Sequence, residues 1–151
     1  MRMQYAIIFM VVASFFIQYT LMSVLMTNKV ENITNSLGKF YVSSIMGLSM
    51  GVVEVAMHDV YMGMGRVSMK YYVPLCMLLF IFIWLYRNQV YIGDIQYLDE
   101  MIEHHSMALF TSKEILRKTS NYKVARLAKN IVQGQTDEIG EMRKLIASLK
   151  H

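Results

Sequence analysis

Apolar positions follow two regimes along the chain, and the change comes near residue 90. Residues 4–26 (QYAIIFMVVASFFIQYTLMSVLM) run almost without charge, long enough to cross a bilayer as one helix. A second apolar stretch covers residues 40–57 and a third residues 73–88, built on VPLCMLLFIFIWLY. The third reaches spanning length only with Tyr71 and Tyr72 at one end, and Trp84 and Tyr86 at the other, placed as interfacial aromatics. Residues 1–90 are thus predicted to be a membrane domain of three helices.

Beyond residue 90 the pattern changes to that of amphipathic helices. Asp94 reads as an N-cap for a helix through about Lys118, with Ile95, Leu98, Ile102, Leu109 and Leu116 on one stripe and His105 lying on it. Thr119-Ser-Asn121 interrupts the pattern and supplies the next cap. A last helix carries Val124, Leu127, Ile131, Gln135, Met142, Leu145 and Leu149 on or near one face. Residues 94–149 are therefore expected to form an αα-hairpin. Two helices alone bury little core, so dimerisation or docking on the membrane domain is expected to complete it.

Between the first two spans, Thr27 to Lys39 reads as a polar loop, and its sequon Asn32-Ile-Thr34 is read as coincidental. Gly63 and Gly65 are expected to loosen the end of the second span, and Pro74 to sit in the first turn of the third, where a missing N–H costs nothing. Arg2 precedes the first apolar run as in a signal peptide. The run is too long for such a peptide, and no small-residue cleavage site follows it, so a retained helix is expected. Arg2, Arg66 and Lys70 would lie on one face of the membrane and Lys29, Lys39 and Arg87 on the other. That balance is nearly even. With the amino terminus it favours an inside N-terminus and an extracytoplasmic hairpin in a multi-pass cell-membrane protein.

The net charge of +4 comes largely from Lys and Arg on the two C-terminal helices, interspersed with acids. Nucleic-acid binding would need a concentrated basic stripe interleaved with aromatics, and only Tyr122 is offered, so no nucleic-acid partner is expected. The single Cys76 lies within an apolar span and is expected only to pack.

Fifteen methionines and one cysteine turn attention to thioether chemistry. Met101 precedes His104 by three residues and His105 by four, and Met107 follows His104 by three, so these side chains share or adjoin a helix face. Gln135, Glu138 and Met142 recur at the same spacings on the last helix, which would face the first if the two run antiparallel. Thioether and neutral imidazole suit copper, and thioether prefers Cu(I). The candidate metal ligands are Met101, His104, His105, Met107, Gln135 and Met142. His105 or Gln135 could instead orient the ligands. The competing reading is that these methionines fill core and the histidines are hydrogen-bonded core residues.

A second stripe, Met46, Met50, Glu54, His58 and Met62, repeats every four residues along the second span. Ionisable groups inside a membrane face a bundle interior or a cavity, and Glu54 and His58 can pair. This stripe is either a ladder of weak Cu(I) sites or a helix interface packed with methionine. A di-iron bundle needs Glu-x-x-His on two helices, and a zinc hydrolase needs His-Glu-x-x-His; neither pattern occurs. No nucleophile with a base is discernible, and the chain is not expected to be an enzyme.

Leu98-x-x-Met101-Ile-x-His104-His105-x-x-Ala108, then Ala125-x-Leu127-Ala128-x-x-Ile131 and Gln135-x-x-Glu138-Ile-x-x-Met142, resembles domain-of-unknown-function family 305 over residues 94–149. The resemblance implies a ferritin-like helical domain, usually extracytoplasmic, with some members implicated in copper binding. It also makes a bacterial inner membrane the default setting. Members commonly carry Pro where this chain has Glu103, and Gln or a small residue where it has Ser106. Glu103 is expected either to weaken thioether selectivity or to be solvated. A single helix pair, where soluble members often have two, strengthens the expectation of a homodimer.

The expected protein is all-α, with three transmembrane helices followed by a ferritin-like hairpin completed by dimerisation. Its expected role is binding Cu(I) for sequestration or hand-off, with a copper donor or acceptor protein as partner. The rival reading is a non-metal membrane assembly subunit whose Met and His residues are structural.

Overall fold

The computed structural model describes residues 3–62 and 67–150, apart from the side chain of Met62. The described residues are helical, with no strand. Five helices follow one another: α1 (Met3–Met26), α2 (Leu37–Met62), α3 (Met69–Arg87), α4 (Asp94–Leu116) and α5 (Tyr122–Leu149). The first three are long and apolar enough to cross a membrane. Gly63, Gly65, Arg2 and Arg66 lie outside the described residues, as does the Met62 thioether.

The chain forms two compact units, one of Met1–Leu21 with Leu37–Tyr91, the other of Met22–Ser36 with Ile92–His151. The loop after α1 thus belongs with the C-terminal hairpin, where a membrane domain of residues 1–90 was expected to include it.

In the first unit α2 carries a buried stripe one position away from the methionine stripe: Ser43, Gly47, Gly51 and Val55. The glycines set how closely the helices approach. A Cβ on Gly47 would stand 2.7 Å from the Val11 carbonyl oxygen, and one on Gly51 2.6 Å from Val11 Cγ2. Small residues at a four-residue spacing let apolar helices gain dispersion contacts in a solvent that offers no hydrophobic drive. The packing is thus made by glycine, where a methionine-packed interface was one expectation. A π-helical stretch, Ile17–Leu21, interrupts α1. Within it Thr20 Oγ1 donates to the Phe16 carbonyl at 2.7 Å, the acceptor its own amide would use in an α-helix.

Two boundaries differ from expectation for identifiable reasons. Ser68 is held by the Asp59 carboxylate through both its amide (2.8 Å) and its hydroxyl (2.6 Å), so α3 begins at Met69. Pro74 is consequently the sixth residue of its helix and not in the first turn. Asp94 is the first residue of α4, and the preceding Gly93 is the cap, without any side-chain bond. The cap expected at Asn121 is present, its side chain accepting from the amides of Lys123 and Val124 at 2.9 and 3.2 Å.

The second unit has a core of Leu98, Ile102, Leu109, Ile139 and Met142, flanked by Met101, Val132 and Ile146. On α5 the inward positions are thus Ala128, Val132, Gln135, Ile139, Met142 and Ile146, not the single stripe expected. Val124, Leu127, Leu145 and Leu149 stand exposed on another face, Leu127 at 61%.

A second face of α4 is covered by residues 27–36, a strap between α1 and α2. Ser106 is completely buried; its hydroxyl accepts from the Asn28 amide (2.9 Å) and Asn32 Nδ2 (3.0 Å), and its carbonyl from the Asn28 amide (3.2 Å). The Glu103 carboxylate accepts from Ser23 Oγ and from the Thr34 amide (2.9 Å), while Thr34 Oγ1 donates to the Asp99 carbonyl (2.7 Å). Neither expectation for Glu103 describes this: the residue is 5% exposed and serves as an anchor for the strap. Asn32 is 4% exposed, so in the folded chain its sequon is sealed, in keeping with a coincidental motif.

Candidate functional site

His105 occupies an inward position of α4, three residues after Ile102 and four after Met101, and both of its ring nitrogens are engaged. Nδ1 lies 2.8 Å from the Met101 carbonyl oxygen and Nε2 lies 2.7 Å from Glu138 Oε2 on α5. A carbonyl oxygen can only accept, so Nδ1 carries the proton and donates it there. Nε2 then faces the Glu138 carboxylate across the hairpin. A ring that donates from one nitrogen to a backbone carbonyl is the arrangement that orients metal-binding histidines. Gln135 Nε2 donates to the same Glu138 oxygen at 3.4 Å and steadies the carboxylate.

The two adjacent histidines part company. His104 has an exposed side chain, 57%, with Nε2 3.8 Å from Glu100 Oε1 one turn earlier, whereas the His105 side chain is 15% exposed. Successive helical residues differ by about 100° in direction, which sends one imidazole outward and the other into the hairpin. Met142 is buried in the hydrophobic cluster and Met101 packs against that cluster. Met107 is half-buried. The hairpin therefore brings His105, Gln135 and Glu138 together by hydrogen bonds and sets Met101 and Met142 at the same hydrophobic cluster, while His104 lies apart on the outer surface. Among the described residues no three His, Cys, Asp or Glu side chains cluster as a metal site.

On α2, Met46 is exposed and Met50, Glu54 and His58 are half-buried. His58 does not pair with Glu54; its Nδ1 is 4.0 Å from Asp59 Oδ1 and has no hydrogen-bond partner among the described residues.

The pairing of Glu138 with His105 was within reach of the sequence, because both sit on inward-facing turns of antiparallel helices. The strap bonds carried a fainter signal, namely Ser, Thr and Asn over residues 23–36 matched by an out-of-place Glu and Ser on α4.

No solved structure gives a significant match to the chain. The uncharacterized protein L153 of Acanthamoeba polyphaga mimivirus is 32% identical over 144 residues, 95% of this chain and 93% of that protein, so the likeness takes in the apolar helices as well as the hairpin. The Domain of unknown function (DUF305) matches residues 93–151, the stretch that holds His104, His105, Gln135, Glu138 and Met142. The chain belongs to the DUF305 family, carrying that domain behind three apolar helices.

Proposed function

We propose that the protein is a membrane-anchored copper-binding protein that holds Cu(I) on the α4–α5 hairpin, for sequestration or hand-off to a partner protein and without catalysing a reaction. The observation that carries this reading is the tether on His105: its Nδ1–H is fixed to the Met101 carbonyl, which leaves Nε2 aimed across the hairpin at Glu138. Met142 belongs to the buried cluster and Met101 packs against it, so two thioethers border the cluster on the hairpin that carries the oriented imidazole. That donor set suits Cu(I). Glu138 and Gln135 act as the orienting pair, and Glu138 holds His105 when no metal is bound. His104 and Met107 offer an outer position for an ion in transit.

Membrane anchoring through three crossings is supported by the strap. Three crossings place the α1–α2 connection and everything after α3 on one side, and those two segments form one compact unit. We take that side to be extracytoplasmic.

The test is a Cu(I) titration of the full chain in detergent against a competing chelator, using His105→Ala, His104→Ala and the double variant. Loss of near-stoichiometric binding in His105→Ala supports the inner site. Full affinity in the double variant refutes it.

One observation favours a second reading, a membrane assembly subunit. Val124, Leu127, Leu145 and Leu149 leave an apolar face of α5 exposed, as a surface built to meet another copy would. A dimer that forms equally with copper and with chelator, in a protein that binds no Cu(I), would decide for that reading.

A further inference from the structure

The strap and hairpin line an open cavity of about 270 Å³ whose charged lining is Lys29, Glu31, Lys113 and Arg143. Three cations from three different elements thus face one carboxylate. Lys29 Nζ (3.3 Å) and Arg143 Nη2 (3.6 Å) share that single carboxylate. The remaining partners of the cations are neutral: Lys113 Nζ donates to Asn28 Oδ1 at 3.3 Å and Arg143 Nη2 to Asn32 Oδ1 at 2.6 Å. The Asn32 side-chain amide is fixed from behind, its Nδ2 donating to the fully buried Ser106 hydroxyl, and the Asn28 backbone is anchored to the same hydroxyl through its N–H. Glu31 offsets part of this positive charge, and the neutral acceptors hold Lys113 and Arg143 in place without offsetting more of it.

We propose that this cavity binds a phosphate group, with Lys113 and Arg143 as its principal ligands and Lys29 at the rim. A guanidinium beside an ammonium suits a tetrahedral oxyanion, one through planar paired donors and the other as a point charge. Lys29 lies three residues beyond Met26, the end of a helix able to cross a bilayer, and so belongs at the depth of lipid headgroups. The phosphate comes either from an anionic phospholipid or from a free anion. The site is independent of the copper reading.

Gly140 provides the discriminating variant. It lines the cavity, and a Cβ added there meets nothing within 4 Å, so Gly140→Glu introduces a carboxylate beside the cations with no clash at its Cβ. Thermal unfolding of the full chain in neutral detergent is followed with inorganic phosphate, with monomeric short-chain phosphatidylglycerol, and with short-chain phosphatidylcholine as zwitterionic control. A saturable rise in midpoint is expected, weakened roughly tenfold or more in Gly140→Glu and in Lys113→Gln, and retained in Gly140→Ala. A rise with phosphatidylglycerol alone identifies a lipid headgroup as the source; a rise with inorganic phosphate as well identifies the free anion. No rise with either, an equal rise with phosphatidylcholine, or unchanged binding in a folded Gly140→Glu variant overturns the proposal.

Discussion

Asn28 and Ser106 are joined twice, the Asn28 amide reaching both the hydroxyl (2.9 Å) and the carbonyl (3.2 Å) of a serine 78 residues later in the chain. Around this contact the polar connection between two apolar helices becomes part of the C-terminal body. Glu103 one turn earlier completes the attachment.

Glu103→Ala removes the acceptor for a buried serine hydroxyl and a backbone amide. It should cost about 2–4 kcal/mol in the stability of the hairpin unit. Denaturant unfolding in detergent, with proteolysis reporting release of residues 27–36, measures it. A loss below about 0.5 kcal/mol would mean that the strap is not held by this carboxylate.

Gly47→Ala pushes a methyl group against a backbone oxygen of α1, and backbone cannot rotate away. A destabilisation of about 1–3 kcal/mol of the α1–α2 pairing is expected. Gly134→Ala is the contrast, because its added Cβ meets open space and gains up to about 1 kcal/mol of helix propensity. Opposite signs for the two substitutions, read from unfolding midpoints, check the assignment of the close approach.

The two histidines should separate in stability as well as in copper affinity. His105→Ala leaves Glu138 without its partner across the hairpin and should destabilise by about 1–2 kcal/mol. His104→Ala, at an exposed position, should stay within about 0.5 kcal/mol of the parent. Equal effects would show that His105 does not bridge the helices.

Asn121→Ala deletes the cap of α5 and should cost about 1 kcal/mol, whereas Asn121→Ser should recover most of it. Chemical denaturation of the parent and both variants is sufficient to compare them.

What could be read in advance was whatever depends on local pattern. Charge-free runs marked the three apolar helices, and Asn121 marked the start of α5, because each signal lies within the element it specifies. The faces of α5 were harder. Leu127 and Leu145 look as core-like as Ile139 and Met142, and only the partner helix decides which pair turns inward. Glu103 was misread for a similar reason: its acceptor role depends on Ser23 and Thr34, about seventy to eighty positions away, and no spacing rule connects them. Gly47 and Gly51 were legible in principle, as small residues four apart in an apolar run.

The strap also imposes an order in time. Ser23, Asn28 and Thr34 are synthesised long before α4 exists, and two further apolar helices must emerge before their partners do. The C-terminal body therefore closes last, around a segment made near the beginning. A fragment cut at residue 93, where the family likeness starts, would leave Glu103 and Ser106 facing water with their amide partners gone. Such a fragment would be missing a side of its own fold, so measurements on it would describe an opened object and not the unit the full chain assembles.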